Sequence, residues 1–145
     1  MNYLGSIGDI YEINQNIKIN PMRTIKFRAW DKERKEWLSY FEIGKNGAIT
    51  CYEINETQNL IIQQFTGLKD KNGKEIYEGD ILSSLYVDDG CKGLYEVVFE
   101  NGNFKPRRRK EHQQQYVEVV MSDLERCAII GNIYDNPELI ILKYK

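Results

Sequence analysis

The sequence predicts a mainly β protein, and three observations support this fold class. Short segments in which apolar and polar residues alternate recur along the chain, a pattern typical of half-buried strands. Pairs of turn-forming residues, such as Asn46-Gly47 and Asn101-Gly102, separate these segments at short intervals. The ten tyrosines also favour strands, in which aromatic residues are enriched.

The length and composition indicate one globular domain, or one domain with an appendage. Of the 145 residues 41% are hydrophobic and 29% charged, and the formal net charge of −2 argues against a general binder of polyanions. We expect neither a membrane span nor a signal peptide, because the apolar runs are short. Three cysteines, Cys51, Cys91 and Cys127, lie far apart, which favours free thiols. The expected location is therefore the cytoplasm, without a membrane partner.

We expect the chain to contain three regions. Residues 1–22 form an N-terminal extension. Residues 23–64 form an N-terminal β region, in which the charged turn 31–36 closes a hairpin. Residues 65–145 form a barrel-like β region, which is either a separate unit or continuous with 23–64.

The barrel-like region begins with four successive turn signals: Thr66-Gly67, Asp70-Lys71, Asn72-Gly73 and Gly79-Asp80. Asn-Gly favours positive φ at both central positions of a tight turn, so the chain is expected to reverse there. An aspartate at the start of a strand accepts a hydrogen bond from a nearby amide, so Asp80 is expected to fix a bend. The predicted structural residues are therefore Gly67, Asn72, Gly73, Gly79 and Asp80.

The remaining pattern predicts further strands and two short helical turns. Ser122 and Glu125 match a capping box, which predicts a short helical turn after them. Asn136-Pro137 predicts a second helical turn through Leu139. The other predicted elements, in chain order, are strands over 24–30, 37–41, 48–54, 60–65, 81–87 and 95–99, a basic loop over 105–112, and strands over 116–121 and 128–134.

We find no pattern for catalysis or metal binding. The single histidine, His112, lies in the basic loop, and nothing in the sequence brings it to a cysteine, so a thiol nucleophile lacks a base. The adjacent acids Asp88 and Asp89 point to opposite faces of a strand end, which disfavours a shared ion. No glycine-rich phosphate loop is present. We expect no enzyme, no metal and no cofactor, although an enzyme that uses only carboxylates stays open.

The basic loop is the strongest hint of a function. Its five basic residues and Glu111 give a formal charge of +4, which leaves −6 for the rest of the chain. This segregation fits a solvated loop, a contact with an acidic protein face, or a nucleic-acid site in which Tyr116 or Phe104 stacks on bases. The candidate contact residues are Lys105, Arg107, Arg108, Arg109, Lys110 and Tyr116.

Three motifs carry a family resemblance. Ile25–Lys32 reads Ile-Lys-Phe-Arg-Ala-Trp-Asp-Lys, Gln64–Ile81 contains the four turn signals, and Ile130–Leu139 reads Ile-Gly-Asn-Ile-Tyr-Asp-Asn-Pro-Glu-Leu. In this order they resemble the YopX-like proteins of phages and prophages of Gram-positive bacteria. The resemblance implies a phage or prophage protein that acts in the bacterial cytoplasm. Because that family has no established activity, the resemblance transfers no catalytic residue.

The entry into a strand at Gly79-Asp80, followed by a hairpin at Asn101-Gly102, also looks like a small SH3-like barrel. We therefore expect such a barrel region, preceded by a β-hairpin region and followed by a short C-terminal helical turn. The first functional hypothesis is a non-enzymatic interaction module that forms a homo-oligomer and contacts phage or host proteins, because strand edges and residues 1–22 offer surfaces for association. The alternative is a nucleic-acid-binding barrel that uses residues 105–110.

Overall fold

The computed structural model describes residues 23–52, 57–84, 93–108 and 119–141. The predicted features that lie outside these residues are the extension 1–22, Asp88-Asp89, Cys91, the loop residues 109–112 with Arg109, Lys110 and His112, Tyr116, and parts of three predicted strands, namely residues 53–54, 85–87 and 116–118. The described part is mainly β, as the sequence predicts. Its elements are the strands β1 (Phe27–Asp31), β2 (Glu36–Trp37), β3 (Glu42–Ile43), β4 (Ile49–Thr50), β5 (Leu60–Lys69), β6 (Glu75–Tyr77), β7 (Asp80–Ser84), β8 (Gly93–Glu100), β9 (Asn103–Arg108) and β10 (Ala128–Asn132), the 3-10 helices Thr57–Asn59 and Met121–Arg126, and the α-helix α1 (Glu138–Ile141).

The first sheet has the strand order β2-β1-β5-β6. β1 and β2 form the predicted N-terminal hairpin, with Trp30 opposite Trp37. β5 pairs with β1 on one side and with β6 on the other, antiparallel in both cases. It also runs without interruption across positions 64 and 65, where the sequence divides the two predicted β regions.

The second sheet has the strand order β10-β7-β8-β9, again antiparallel throughout. The described structure contains a curled half-barrel sheet, which is consistent with the small barrel that the sequence predicts. β8 and β9 are joined by the predicted hairpin turn, in which both Asn101 (φ 51°) and Gly102 (φ 80°) have positive φ. This is the conformation that a two-residue type I′ turn requires. β3 and β4 form a separate two-stranded ribbon around Asn46-Gly47.

Two of the predicted turns differ from the structure. The prediction of a turn at Thr66-Gly67 is wrong, because β5 continues through both residues and Gly67 (φ 90°) lies at a shift of register, which is a bulge. The turn at Asn72-Gly73 is confirmed in position, but only Gly73 of the pair has positive φ. Its amide donates to the carbonyl oxygen of Asp70 at 2.9 Å, which makes Asp70–Gly73 a type I turn with aspartate first and glycine last.

The structure also corrects predictions in the last third of the chain. Lys105 to Arg108 belong to β9, so the predicted basic loop does not begin at residue 105. Met121 begins a 3-10 helix, whereas the sequence predicts that a strand ends there. The carboxylate of Asp123 accepts a hydrogen bond from the Val120 amide at 2.9 Å, so the residues that cap this helix are not the predicted Ser122 and Glu125. β10 and α1, which follows Asn136-Pro137, confirm the last two predicted elements.

The hydrophobic core lies under the second sheet. Leu82 of β7 and the β8 residues Tyr95 and Val97 pack there with Leu124 and Cys127, which come from the second 3-10 helix and the residue after it. Cys127 is a free, fully buried cysteine of this core, whereas Cys51 is only half-buried and lies outside it. Within the described residues, the structure contains no helix of the length and apolarity needed to cross a membrane.

Candidate functional site

Four polar side chains meet where the two sheets join, and we refer to Arg28, Gln63, Asp80 and Asn132 as the Arg28 cluster. They come from β1 and β5 of the first sheet and from β7 and β10 of the second. Arg28 donates from Nε to Gln63 Oε1 at 3.0 Å and from Nη2 to Asp80 Oδ1. Asn132 Nδ2 donates to Gln63 Oε1 at 3.0 Å and to Asp80 Oδ1 at 3.1 Å. The cluster is thus a closed network that connects the sheets.

Aromatic rings enclose the guanidinium of Arg28. Its central carbon lies 4.2 Å from the ring centroid of Trp37 and 4.5 Å from that of Tyr77. A planar, weakly hydrated guanidinium is suited to such stacking, whereas a lysine ammonium is not. Arg28 therefore binds its neighbours by charge, by hydrogen bonds and by ring contacts at once.

Asp80 is the most buried charged member, with 1% of its surface exposed. Its second carboxylate oxygen, Oδ2, accepts from the Tyr77 amide at 2.8 Å, which confirms the predicted role in fixing the bend. The preceding Gly79 has φ 78°, and a Cβ there would collide with Gln63 Nε2 and lie 3.3 Å from Asn132 Nδ2. Glycine is required at this position because the Arg28 cluster packs directly against its backbone.

The electrostatics of the cluster follow from burial. Burial raises the pKa of the Asp80 carboxyl, and the opposing effects of Arg28 and of the Tyr77 and Asn132 hydrogen bonds do not fully cancel it. Burial and the neighbouring Glu75 carboxylate, which accepts a hydrogen bond from Tyr77 at 3.0 Å, raise the pKa of Tyr77 to about 12. Since both Asp80 oxygens accept bonds from within the protein, the arrangement is suited to holding the sheets together and not to proton transfer with a substrate.

A second carboxylate, Asp70, connects the β5–β6 turn to β10. Its Oδ1 accepts from the amides of Asn72 at 2.8 Å and Lys74 at 2.9 Å, and its Oδ2 accepts from the Ile129 amide at 3.0 Å. Burial raises the pKa of Asp70, but these three backbone hydrogen bonds outweigh it and the pKa lies below its ordinary value. The sequence marks Asp70 as a turn residue, and only the fold reveals its bond to Ile129.

A groove of about 240 Å³, which we call the acidic groove, lies beside the cluster. Its apolar lining includes Ile61 of β5, Val98 of β8 and Ile133, which follows β10. Its charged lining consists of three glutamates and one arginine, so its formal charge is −2: Glu78, Glu96, Glu100 and Arg107. Sequence reasoning missed this groove, since Glu96 and Glu100 lie on β8 but only the fold brings Glu78, which follows β6, and the apolar side chains of other elements beside them.

Of the predicted basic contact residues, the structure describes Lys105, Arg107 and Arg108, and these three lie beside acidic or apolar side chains of β8. Arg107 forms an ion pair with Glu100 and lies opposite Glu96 in the β8–β9 register. Lys105 lies opposite Val98, and Arg108 opposite Tyr95. Acidic side chains on β8 therefore offset part of the basic charge on β9. Phe104, a candidate for stacking on bases, packs edge-on against Phe99 at 5.1 Å between ring centroids.

The β3–β4 ribbon presents aromatic and apolar side chains to solvent. Tyr40 and Tyr52 stack on each other, with ring centroids 6.2 Å apart, and Tyr52 is 87% exposed. Ile43, on the ribbon itself, is 41% exposed. Sequence reasoning did not single out this pair, although the two tyrosines fall opposite each other when the register Glu42↔Thr50 is extended by two residues. That symmetry about Asn46 is a signal that a search of the sequence can use.

Metal ligation has no candidate in the part of the chain that the structure describes, where no group of three or more histidine, cysteine, aspartate or glutamate side chains converges. The fold and the site thus define a mainly β protein whose two antiparallel sheets are joined by a buried arginine–aspartate cluster. Residues 26–141 match the family model described as YopX protein, and the chain belongs to the YopX family. All three motifs behind the resemblance contribute to the Arg28 cluster or to the residues that pack on it.

Solved structures show the same architecture. The chain is similar to protein EF1440 from Enterococcus faecalis, with 31% identity, a TM-score of 0.53, and coverage of 81% of this chain and 98% of that one. It is also similar to protein yopX from Bacillus subtilis, with 22% identity, a TM-score of 0.51 and the same coverage, a likeness that concerns the fold alone. A comparison with proteins of curated function finds no significant match.

Proposed function

We propose that the chain is a non-enzymatic protein-interaction module that associates with further copies of itself, as a phage or prophage protein in the bacterial cytoplasm. The observation that carries the proposal is the β3–β4 ribbon. Its strands pair only with each other in the described part of the chain, and it exposes Tyr40, Ile43 and Tyr52. Exposed apolar patches of this kind mark interaction sites on monomers.

The geometry of the ribbon favours a second copy as its partner. A two-stranded ribbon is marginally stable alone, and its outer edges carry backbone groups that a further strand can pair with. Two copies related by a two-fold axis bring the same edge together antiparallel, so the edge strand of each copy offers backbone hydrogen-bonding groups to the edge strand of the other. The stacked tyrosines would then bury apolar area against the partner's ribbon.

The non-enzymatic part of the proposal is supported by the Arg28 cluster. It holds an ion pair in which the Asp80 side chain is 1% exposed, and both oxygens of Asp80 already accept hydrogen bonds from the protein. A catalytic carboxylate has to reach a substrate, whereas this one is enclosed. Its role is therefore better explained as architecture.

Sedimentation velocity at tens of micromolar tests the self-association. We expect wild-type protein to sediment as a species larger than one chain, and the double variant Tyr40→Ser/Tyr52→Ser to sediment as a monomer. Ile25→Ser is the matched control, because Ile25 is 59% exposed but lies outside the ribbon, and it should behave as wild type. A wild-type protein that remains monomeric over this range contradicts the proposal.

Nucleic-acid binding is the second candidate, and one feature of β9 favours it. Lys105 and Arg107 are two residues apart on this strand and so share a face, and Arg109 and Lys110 follow in the sequence. This reading predicts retention on DNA or RNA that falls steeply with salt. The variant Arg107→Ala/Arg108→Ala/Arg109→Ala should abolish it without unfolding the protein, and absence of wild-type binding at low salt would eliminate this candidate.

A further inference from the structure

The backbone of the β3–β4 ribbon points hydrogen-bonding groups to both of its edges. The Gly44 amide donates to the Ala48 carbonyl oxygen at 2.8 Å. The next pair along the ribbon is Ile43 and Ile49. In an antiparallel pair of strands, residues that exchange hydrogen bonds alternate with residues that do not. The amides and carbonyls of Ile43 and Ile49 therefore point away from the ribbon, where a further strand can pair with them.

Charge distinguishes the two edges of the ribbon. The β3 edge runs through Tyr40–Gly44 and carries the exposed Glu42. Two copies that pair through this edge about a two-fold axis bring their Glu42 carboxylates close, and like charges on facing strands are destabilising. The β4 edge runs through residues 48–52, which read Ala-Ile-Thr-Cys-Tyr and carry no charge. Charge thus favours β4 for contact between identical copies.

The outer strands of the two larger sheets carry obstacles to strand addition. On one edge of the second sheet, β9 contains three basic residues and Pro106, which has no amide hydrogen. Prolines and charges on an edge strand both oppose the addition of another strand. On the opposite edge, the Ile129 amide of β10 already donates to Asp70 at 3.0 Å. In the first sheet, the outer strands β2 and β6 each carry a glutamate, whereas β4 has neither a charge nor a proline.

We propose that β4 is the strand through which two copies associate. It pairs antiparallel with β4 of a second copy across a two-fold axis at Thr50, which gives a four-stranded sheet of order β3-β4-β4-β3. This inference rests on the proposed self-association and names its interface. An axis at Thr50 pairs all five residues 48–52, with Ala48 opposite Tyr52 and Ile49 opposite Cys51. Ile49 and Cys51 then exchange backbone hydrogen bonds, because their amides and carbonyls point outward from β4.

Proline substitutions on the two edges test this assignment by sedimentation velocity. Ile49→Pro removes the amide that points outward from β4 and leaves the bonds between β3 and β4 in place. We expect its dimer dissociation constant to rise roughly tenfold or more, because two-fold symmetry removes the hydrogen bond twice. Ile43→Pro is the matched control, since it removes the corresponding outward amide from β3, and it should associate as wild type.

The outcomes separate this inference from the self-association itself. If wild-type protein associates but Ile43→Pro alone dissociates, or if both variants or neither dissociate, β4 is not the associating edge and the inference is overturned while self-association stands. A wild-type protein that is monomeric over the whole concentration range removes the proposed self-association, and this inference with it.

Disulfide trapping gives a second, independent readout. In a Cys51→Ser/Cys91→Ser background treated with the thiol oxidant diamide, Thr50→Cys should form a covalent dimer on a non-reducing gel. Facing residues that share no hydrogen bonds lie about 4.5 Å apart between Cα atoms, within the reach of a disulfide. Glu42→Cys is the matched control, because Glu42 lies opposite Thr50 within the ribbon. In the proposed sheet its two copies are three strand spacings apart, roughly 14 Å, which is too far to bridge. A covalent dimer from Glu42→Cys, or none from Thr50→Cys, would contradict the proposed pairing.

Discussion

At the scale of single residues, Gly79 combines a positive φ with a position at which a Cβ would lie within 3 Å of another side chain, and no other described glycine has both features. Gly79 and Gly73 have nearly the same backbone conformation, with φ of 78° and 82°. A Cβ at Gly73 would meet no atom within 4 Å, whereas one at Gly79 would collide with Gln63. A comparison of substitutions at Gly73 and Gly79 therefore separates the cost of backbone strain from the cost of a steric collision.

We expect Gly73→Ala to lower the free energy of unfolding by about 1–2 kcal/mol, the cost of a side chain in the left-handed region. Gly79→Ala should lose about 3 kcal/mol or more, because the Arg28 cluster must also move. Urea denaturation of both variants measures the difference. Equal losses in the two variants would show that the Arg28 cluster accommodates the added methyl group with no further loss of stability.

The sequence could predict part of this site and not the rest, for physical reasons. Gly79 and Asp80 are identifiable because turn chemistry is local, and a glycine before a strand-leading aspartate predicts a bend. The partners of Asp80 are Arg28 and Asn132, which are 52 positions away in the chain on either side. Periodicity along one strand carries no information on such pairings.

At the scale of elements, Asp70 holds the β5–β6 turn against β10. The turn residues Asn72 and Lys74 and the β10 residue Ile129 all donate backbone hydrogen bonds to one carboxylate. Because the pKa of Asp70 is lowered in the folded state, its contribution to stability is complete above the ordinary value of 3.8. The contribution is lost as the pH falls through the folded-state pKa.

We expect Asp70→Asn to lower the free energy of unfolding by about 1–3 kcal/mol at pH 7, since buried amides lose a charged acceptor. As the pH falls below the lowered folded-state pKa of Asp70, the wild-type carboxyl becomes protonated and resembles the amide, so the two proteins should converge. Urea unfolding of both proteins at several pH values provides the measurement. A difference that stays constant with pH would show that charge is not what Asp70 contributes.

Elements also show where local patterns mislead. Glycine in Thr66-Gly67 suggests a turn, yet β5 continues because β6 pairs with it at Phe65 and again at Lys69, and the glycine is used for a bulge. Likewise, the run of basic residues from Lys105 suggests a loop, but the Asn101-Gly102 turn extends pairing to Arg108. Tertiary pairing overrides composition in both cases.

At the scale of the whole molecule, the Arg28 cluster joins two sheets that share no strand. Removal of Arg28 leaves the Asp80 carboxylate buried without its counter-charge, and breaking one partner of a buried pair typically costs about 3–5 kcal/mol. We expect Arg28→Met to lose about 3 kcal/mol, as the arginine side chain is partly exposed. Its matched control is Lys26→Met, two residues before Arg28, which breaks an exposed ion pair with Glu75 and should cost about 0–1 kcal/mol.

A double-mutant cycle tests whether the stability lost in Arg28→Met comes from the interaction of Arg28 with Asp80. Because Asp80→Asn removes the buried charge, Arg28→Met/Asp80→Asn should lose less than the sum of the single variants, by about 1–3 kcal/mol. Chemical denaturation at pH 7 gives all three values. Additive losses would mean that the two side chains stabilise the protein separately and that the sheets are joined by other contacts.

The surroundings of Arg28 have a practical consequence for spectroscopy. The chain has two tryptophans, and both lie at this junction: Trp37 covers the guanidinium, and Trp30 meets Trp37 edge-on at 5.0 Å between ring centroids. Intrinsic emission excited at the red edge of the absorption band therefore originates at one location. Tryptophan fluorescence therefore reports whether the two sheets are in contact, and their separation can be followed in real time without a dye.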